Sequence, residues 1–176
     1  MLSTDLMRSG AVGFGLGGVA WIVSGLLVVF GNPIMGPHPV YFLFVLVALL
    51  LTSVGLMGLH ALQEGSYGRI GGVGLYAILL AFAVQALGTA GSLSGSSVLG
   101  WVVPPVGLSI KMVGFVLYGV ATARAGILPR RYGVALVVLA PVSVILLAYG
   151  NIWTGVVLVI LGYGLWRRRE ASGRQQ

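Results

Sequence analysis

One lysine stands among nine arginines in this chain of 176 residues, and it is the one cation placed inside an apolar run. Lys111 lies about midway between Val98 and Ala123. A lysine at the centre of a membrane helix costs about 2.5–3.5 kcal/mol on insertion scales, so a partner, a wet crevice or a task is expected for it. Pro104, Gly107, Gly114 and Tyr118 share its helical face at spacings of three and four. Small residues let membrane helices approach, so this face should turn inward and take the lysine with it. All three acids, Asp5, Glu64 and Glu170, lie outside the apolar runs. The candidate partners are therefore neutral: Gln85, Tyr118, Ser109, the carbonyls near Pro104 and Pro105, or water. A buried cation of this kind can hold an anionic solute or a lipid headgroup, act as a proton-linked switch, or form a Schiff base with a carbonyl cofactor. The Schiff base is the least favoured, because the runs hold no carboxylate counter-ion. The plain alternative is a lysine that snorkels into a wet crevice and binds nothing.

A second group is His60, with Ser53 and Glu64 seven and four residues away on one helical face. A Ser–His pair suggests a hydrolase. At 1.5 Å per residue, however, seven residues span about 10 Å, beyond hydroxyl-to-imidazole reach on one helix. Hydrogen bonding near the membrane interface is the plainer role. His38 falls in a Pro-rich loop and is expected to be solvated. Neither HExxH, nor paired carboxylates, nor metal-ligand spacing occurs. With no cysteine, disulfides, iron–sulfur clusters and thiol nucleophiles are excluded. No catalytic residue, metal or cofactor is expected. Gly13-x-Gly15-x-x-Gly18 matches the dinucleotide fingerprint only as letters, since no strand precedes it. Packing is its expected role.

The elements that carry these residues follow from composition. The chain is 58% hydrophobic and 7% charged, against about 25% charge in a soluble domain. That excludes a soluble globular domain, and the apolar content excludes disorder. An all-α membrane protein of one domain remains. Six runs approach the roughly 20 residues a helix needs to cross a bilayer: Gly10–Phe30, Val40–Leu62, Ile70–Gly91, Val98–Ala123, Tyr132–Tyr149 and Ile152–Trp166. They do not alternate, which disfavours a barrel. The connections Asn32–Pro39, Ser92–Ser97 and Gly150–Asn151 carry no charged residue. Every arginine falls in the other segments: Arg8, Arg69, Arg124, Arg130, Arg131, Arg167, Arg168, Arg169 and Arg174. The positive-inside rule then puts both termini in the cytoplasm of a multi-pass cell-membrane protein. The first run is too long for a signal-peptide core and is expected to be a retained helix. No lipidation motif occurs. The pI of about 10.4 follows from the arginines. Their expected partners are the bilayer and its anionic headgroups rather than nucleic acid.

Arg8-Ser9-Gly10, Arg69-Ile70-Gly71 and Arg131-Tyr132-Gly133 recur at 61 and 62 residues. Gly58–Gly65 (GLHALQEG) aligns without gaps to Gly119–Gly126 (GVATARAG). Three tandem helical hairpins are one reading. Chance similarity among Gly-rich helices preceded by Arg is the other. The stretch Arg124–Gly133 (RAGILPRRYG) resembles a segment between helices in small, uncharacterised multi-pass membrane proteins of prokaryotes. That resemblance implies six or so helices, and neither an activity nor a functional residue. The leading expectation is a non-catalytic accessory, scaffold or lipid-interacting membrane subunit, paired with itself or with other membrane subunits. The alternative is a small transporter or channel for an anionic or small solute, with Lys111 lining the path and Pro39, Pro104, Pro105 and Pro141 breaking helices along it. A membrane enzyme is a distant third.

Overall fold

The computed structural model describes residues 2–31, 39–146 and 149–173, and all of them but short connections are helical. Side chains are described for the same residues less 2–4, 97, 98, 100–102, 104 and 169–173. His38 lies outside the described residues, and Pro104 outside those with a described side chain. The helices are α1 (Leu2–Phe30), α2 (Pro39–Gln63), α3 (Gly68–Leu93), α4 (Ser97–Ala125), α5 (Arg130–Ile145) and α6 (Gly150–Gly173). Runs this apolar fold as helix because helix satisfies each backbone N–H and C=O within the segment. Four helical stretches are long and apolar enough to cross a membrane: Asp5–Phe30, Pro39–Gln63, Gly68–Leu93 and Pro105–Ala125.

Local signals set the ends. Gly126 closes α4 at φ 69°, a conformation that a side chain disfavours. Ser96 caps α4, its hydroxyl accepting from the Leu99 N–H at 3.4 Å. Pro141 lies inside α5, which ends four residues later at Ile145. A proline removes one ladder hydrogen bond and crowds the preceding turn. The sixth helix continues past Trp166 through the arginines.

Glycine fixes how the helices meet. A Cβ on Gly10 would stand 2.6 Å from the Cα of Gly58, so α1 and α2 touch backbone to backbone. On another face of α1, a Cβ on Gly18 would stand 2.6 Å from the carbonyl oxygen of Gly155 in α6. Gly74 meets the backbone of Tyr118 across α3 and α4, and Gly119 meets Gly133 across α4 and α5. The α1–α2, α3–α4 and α4–α5 pairings each join an early residue of one helix to a late residue of the other, and Gly25, late in α1, meets Ile152, early in α6, so these neighbours run antiparallel.

Two layers result. Within one, α2, α1 and α6 pack closely in that order, and within the other, α3, α4 and α5 do. Their edges, α2 against α3 and α5 against α6, are packed much more loosely. At the first edge an apolar groove of about 370 Å³ remains, walled by Leu46, Leu50, Leu79 and Ala86 among others. This is a different division from three equivalent hairpins. Gly10 and Gly58 touch, whereas Gly71 is covered by the Tyr67 ring and Gly119 turns to Gly133. The third pair, α5 and α6, is loose where the first two are tight.

The antiparallel order collects the charge. Arg8, Arg69, Arg124, Arg130, Arg131, Arg167 and Arg168 are exposed, and all lie at one end of the bundle.

Candidate functional site at the centre of the bundle

Lys111 projects from the middle helix of one layer toward the middle helix of the other. Its ammonium lies 5.9 Å from the centroid of the Trp21 ring on α1, within the range of a cation–π contact. Among the described residues it has neither an acid partner nor a protein hydrogen bond. The ammonium borders a cavity to which all six helices contribute. Trp21 comes from α1, Thr52 from α2, Phe82 from α3 and Phe115 from α4. Leu139, Ala140 and Ser143 come from α5, and Thr154 from α6. The cavity measures about 10 Å³, close to the least volume that holds one water.

Its polar wall has a definite sense. The Trp21 indole N–H donates to the Thr52 hydroxyl oxygen at 3.2 Å, which leaves the Thr52 O–H free to donate elsewhere. Thr154 donates to the Gly150 carbonyl at 2.8 Å, and Ser143 to the Ala140 carbonyl at 2.7 Å. Ser24 donates to the Trp21 carbonyl at 2.8 Å and accepts from the Asn151 amide at 3.3 Å. The site thus presents one cation and one free hydroxyl donor, framed by aromatic and aliphatic walls. Such a frame suits a water or a small anion and repels a cation. Phe82 lines both this cavity and the apolar groove at the α2–α3 edge.

The other residues singled out in the sequence are not among those that line this cavity. Gln85 packs its side chain on Gly107, and its buried carbonyl oxygen has no hydrogen-bond partner among the described residues. Ser109 is exposed and donates to the Pro105 carbonyl at 3.0 Å. Tyr118 is fully buried two turns along α4, where its ring meets Tyr67 edge-on at 6.0 Å. Ser53, His60 and Glu64 do not converge. The Ser53 hydroxyl donates to Leu49 at 2.8 Å, His60 Nδ1 is hydrogen-bonded to the Tyr67 hydroxyl, and Glu64 is exposed.

A second polar layer lies nearer the arginine end. Thr122 donates to the side-chain carbonyl of Gln63 at 3.2 Å, joining α4 to α2 across the two layers. Gln63 is wholly buried, and both its amide nitrogen and the Tyr118 hydroxyl lack partners among the described residues.

Sequence reasoning did not single out Trp21, Thr52, Ser143 or Thr154. The signal available for them was polarity within apolar runs, where Thr and Ser are tolerated as helix-to-helix hydrogen-bonding groups. Among the described residues no group of His, Asp and Glu could hold a metal. No protein-family model, curated protein or solved structure matches this chain.

Proposed function

We propose that this chain is a six-span membrane protein, with both termini cytoplasmic, that passes a small anion or similar small solute past Lys111. The observation that carries this reading is the unpaired lysine in a cavity lined by all six helices, between layers packed tightly within and loosely between. A buried cation with only neutral partners favours an anion or water beside it. In many transporters one bundle rocks against another around a central site. Loose edges at α2–α3 and α5–α6 are where two layers can move while the glycine seams within each stay closed. The six-span topology rests on the arginines sharing one end, as the positive-inside rule requires.

The test is Lys111→Met in reconstituted vesicles, a change that keeps length and removes charge. Flux of small anions such as chloride or nitrate should be measurable with the wild type and lost in the variant, with thermal stability kept or raised. Equal flux in both, or none in the wild type, would leave Lys111 without a transport role.

A second reading, a non-catalytic scaffold or accessory subunit, is favoured by the size of the cavity. About 10 Å³ admits one water and no organic solute. Absence of flux together with stable self-association or co-purification of a membrane partner would favour it.

A further inference from the structure

The connection Gly126–Pro129 joins α4 to α5 at the arginine end, and beside it a second groove opens. This groove measures about 560 Å³, within the roughly 300–1,000 Å³ typical of ligand sites. Arg124 and Arg130 stand at its mouth. Val120 and Ala123 wall it on α4, and Val134 and Val137 on α5. From Arg130 to Val137 is two helical turns, about 10 Å along the axis. The groove is therefore charged at the end beside the connection and apolar along the two helices leading away from it.

Both arginines are exposed, and neither has an ion-pair or hydrogen-bond partner among the described residues. Arg131 differs, lying 5.4 Å from the Tyr132 ring centroid. Leu128 is buried and anchors the connection, while Gly126 allows the left-handed turn that brings the two arginines to one mouth. The arrangement is thus fixed by RAGILPRRYG, a stretch that the central cavity does not use.

The geometry points to this groove as a binding site for one anionic phospholipid, its phosphate between Arg124 and Arg130 and an acyl chain against Val134 and Val137. An occupant must be negative at one end and apolar for two turns below it, which describes a phospholipid at a membrane interface. A water-soluble anion would leave the valines uncovered. A second copy of the chain would bring nine arginines and three acids, so like charges would meet at this end. The inference rests on the membrane placement proposed above and is independent of transport.

Native mass spectrometry of the full chain in mild detergent tests it, with phosphatidylglycerol and phosphatidylcholine of the same acyl chains titrated separately. One phosphatidylglycerol per chain should bind in preference to phosphatidylcholine. Arg124→Gln with Arg130→Gln should weaken it by roughly 10–30-fold. Arg8→Gln with Arg69→Gln removes the same charge from the same end and should change it little. Val134→Trp fills the groove from an exposed position and should weaken binding although every arginine remains. Equal affinity for the two lipids overturns the proposal, as does an equal loss in the Arg8/Arg69 variant, which would mark a diffuse basic belt. Displacement of the lipid by glycerol 3-phosphate overturns the acyl-chain half. Loss of a dimer in Val134→Trp, with lipid binding intact, would instead put a second copy in the groove. Recovery of the chain from cells without detergent would sink the membrane placement itself, an outcome separate from all of these.

Discussion

Tyr118 buries a phenol whose hydroxyl has no partner among the described residues, and Gln63 beside it has only one of its two polar ends engaged. An unpaired buried polar group carries a desolvation penalty of about 1–3 kcal/mol, more than a typical hydrogen bond returns. Tyr118→Phe should therefore leave stability unchanged or raise it by about 1 kcal/mol. Thr122→Val should lower it by about the same amount, because Gln63 then loses its donor. Thermal unfolding of both variants in one detergent decides the matter. If Tyr118→Phe melts first, the hydroxyl has a partner in the membrane. At this scale the sequence is legible in part. The rhythm of Gly107, Lys111, Gly114 and Tyr118 is plain in the letters, and Gly107, Gly114 and Tyr118 are buried. That Lys111 meets Trp21, ninety residues earlier, depends on how two helices are rotated in different layers, and no local pattern encodes it.

At the scale of elements, α1, like α4, offers glycine on two faces. Gly10, Gly13 and Gly17 meet α2, and Gly18 and Gly25 meet α6. Gly155→Val would drive a branched side chain into the Gly18 carbonyl and Ile22, forcing α6 off α1. A loss of about 1–3 kcal/mol or more is expected, since overpacking here presses on backbone rather than on a side chain that can swing away. Gly72→Ala is the control. Nothing lies within 4 Å of the added methyl, and replacing a mid-helix glycine gains roughly 0.5–1 kcal/mol. Parallel melting curves should separate the two variants in opposite directions. Hydropathy placed each of the six helices but not their ends. It marks where a chain is apolar, whereas a helix continues until a cap, a glycine or a proline stops it. Hence α1 begins at Leu2 rather than Gly10, and α6 runs to Gly173 rather than Trp166. By contrast, α5 stops at Ile145, short of the apolar run that continues to Tyr149.

At the scale of the whole molecule, the arrangement is two three-helix layers around a central cation, in which the first two hairpins are tight and the third is loose. The repeated Arg-x-Gly starts are visible in the sequence, and so are the glycines. Which glycine meets which is a tertiary outcome. Equivalent letters at Gly58 and Gly119 end on different neighbours because α4, in the middle of its layer, has α5 to pack against as well as α3, whereas α2 lies at the edge of its layer. The proposed orientation is open to a direct test, because the native chain has no cysteine to mask an introduced one. Ser94 and Ser66 are both exposed, in the connections after α3 and α2. In intact cells, Ser94→Cys should react with an impermeant maleimide, and Ser66→Cys should react only after permeabilisation. The reverse pattern would invert the topology, and labelling of both from outside would remove one span between them.

The contact of α1 with α6 also has a consequence in time. Ser24 and Asn151 hydrogen-bond across 127 positions of chain. Ribosomes add about 5–20 residues per second, so α1 waits roughly 6–25 s for the helix that covers its second glycine face. During that interval the face opposite α2 is open to lipid, to a membrane insertase or to the wrong helix. Of the six helices, α1 is thus made before the others and yet fully enclosed only once α6 exists, and the centre of the bundle, to which Thr154 contributes, closes only then.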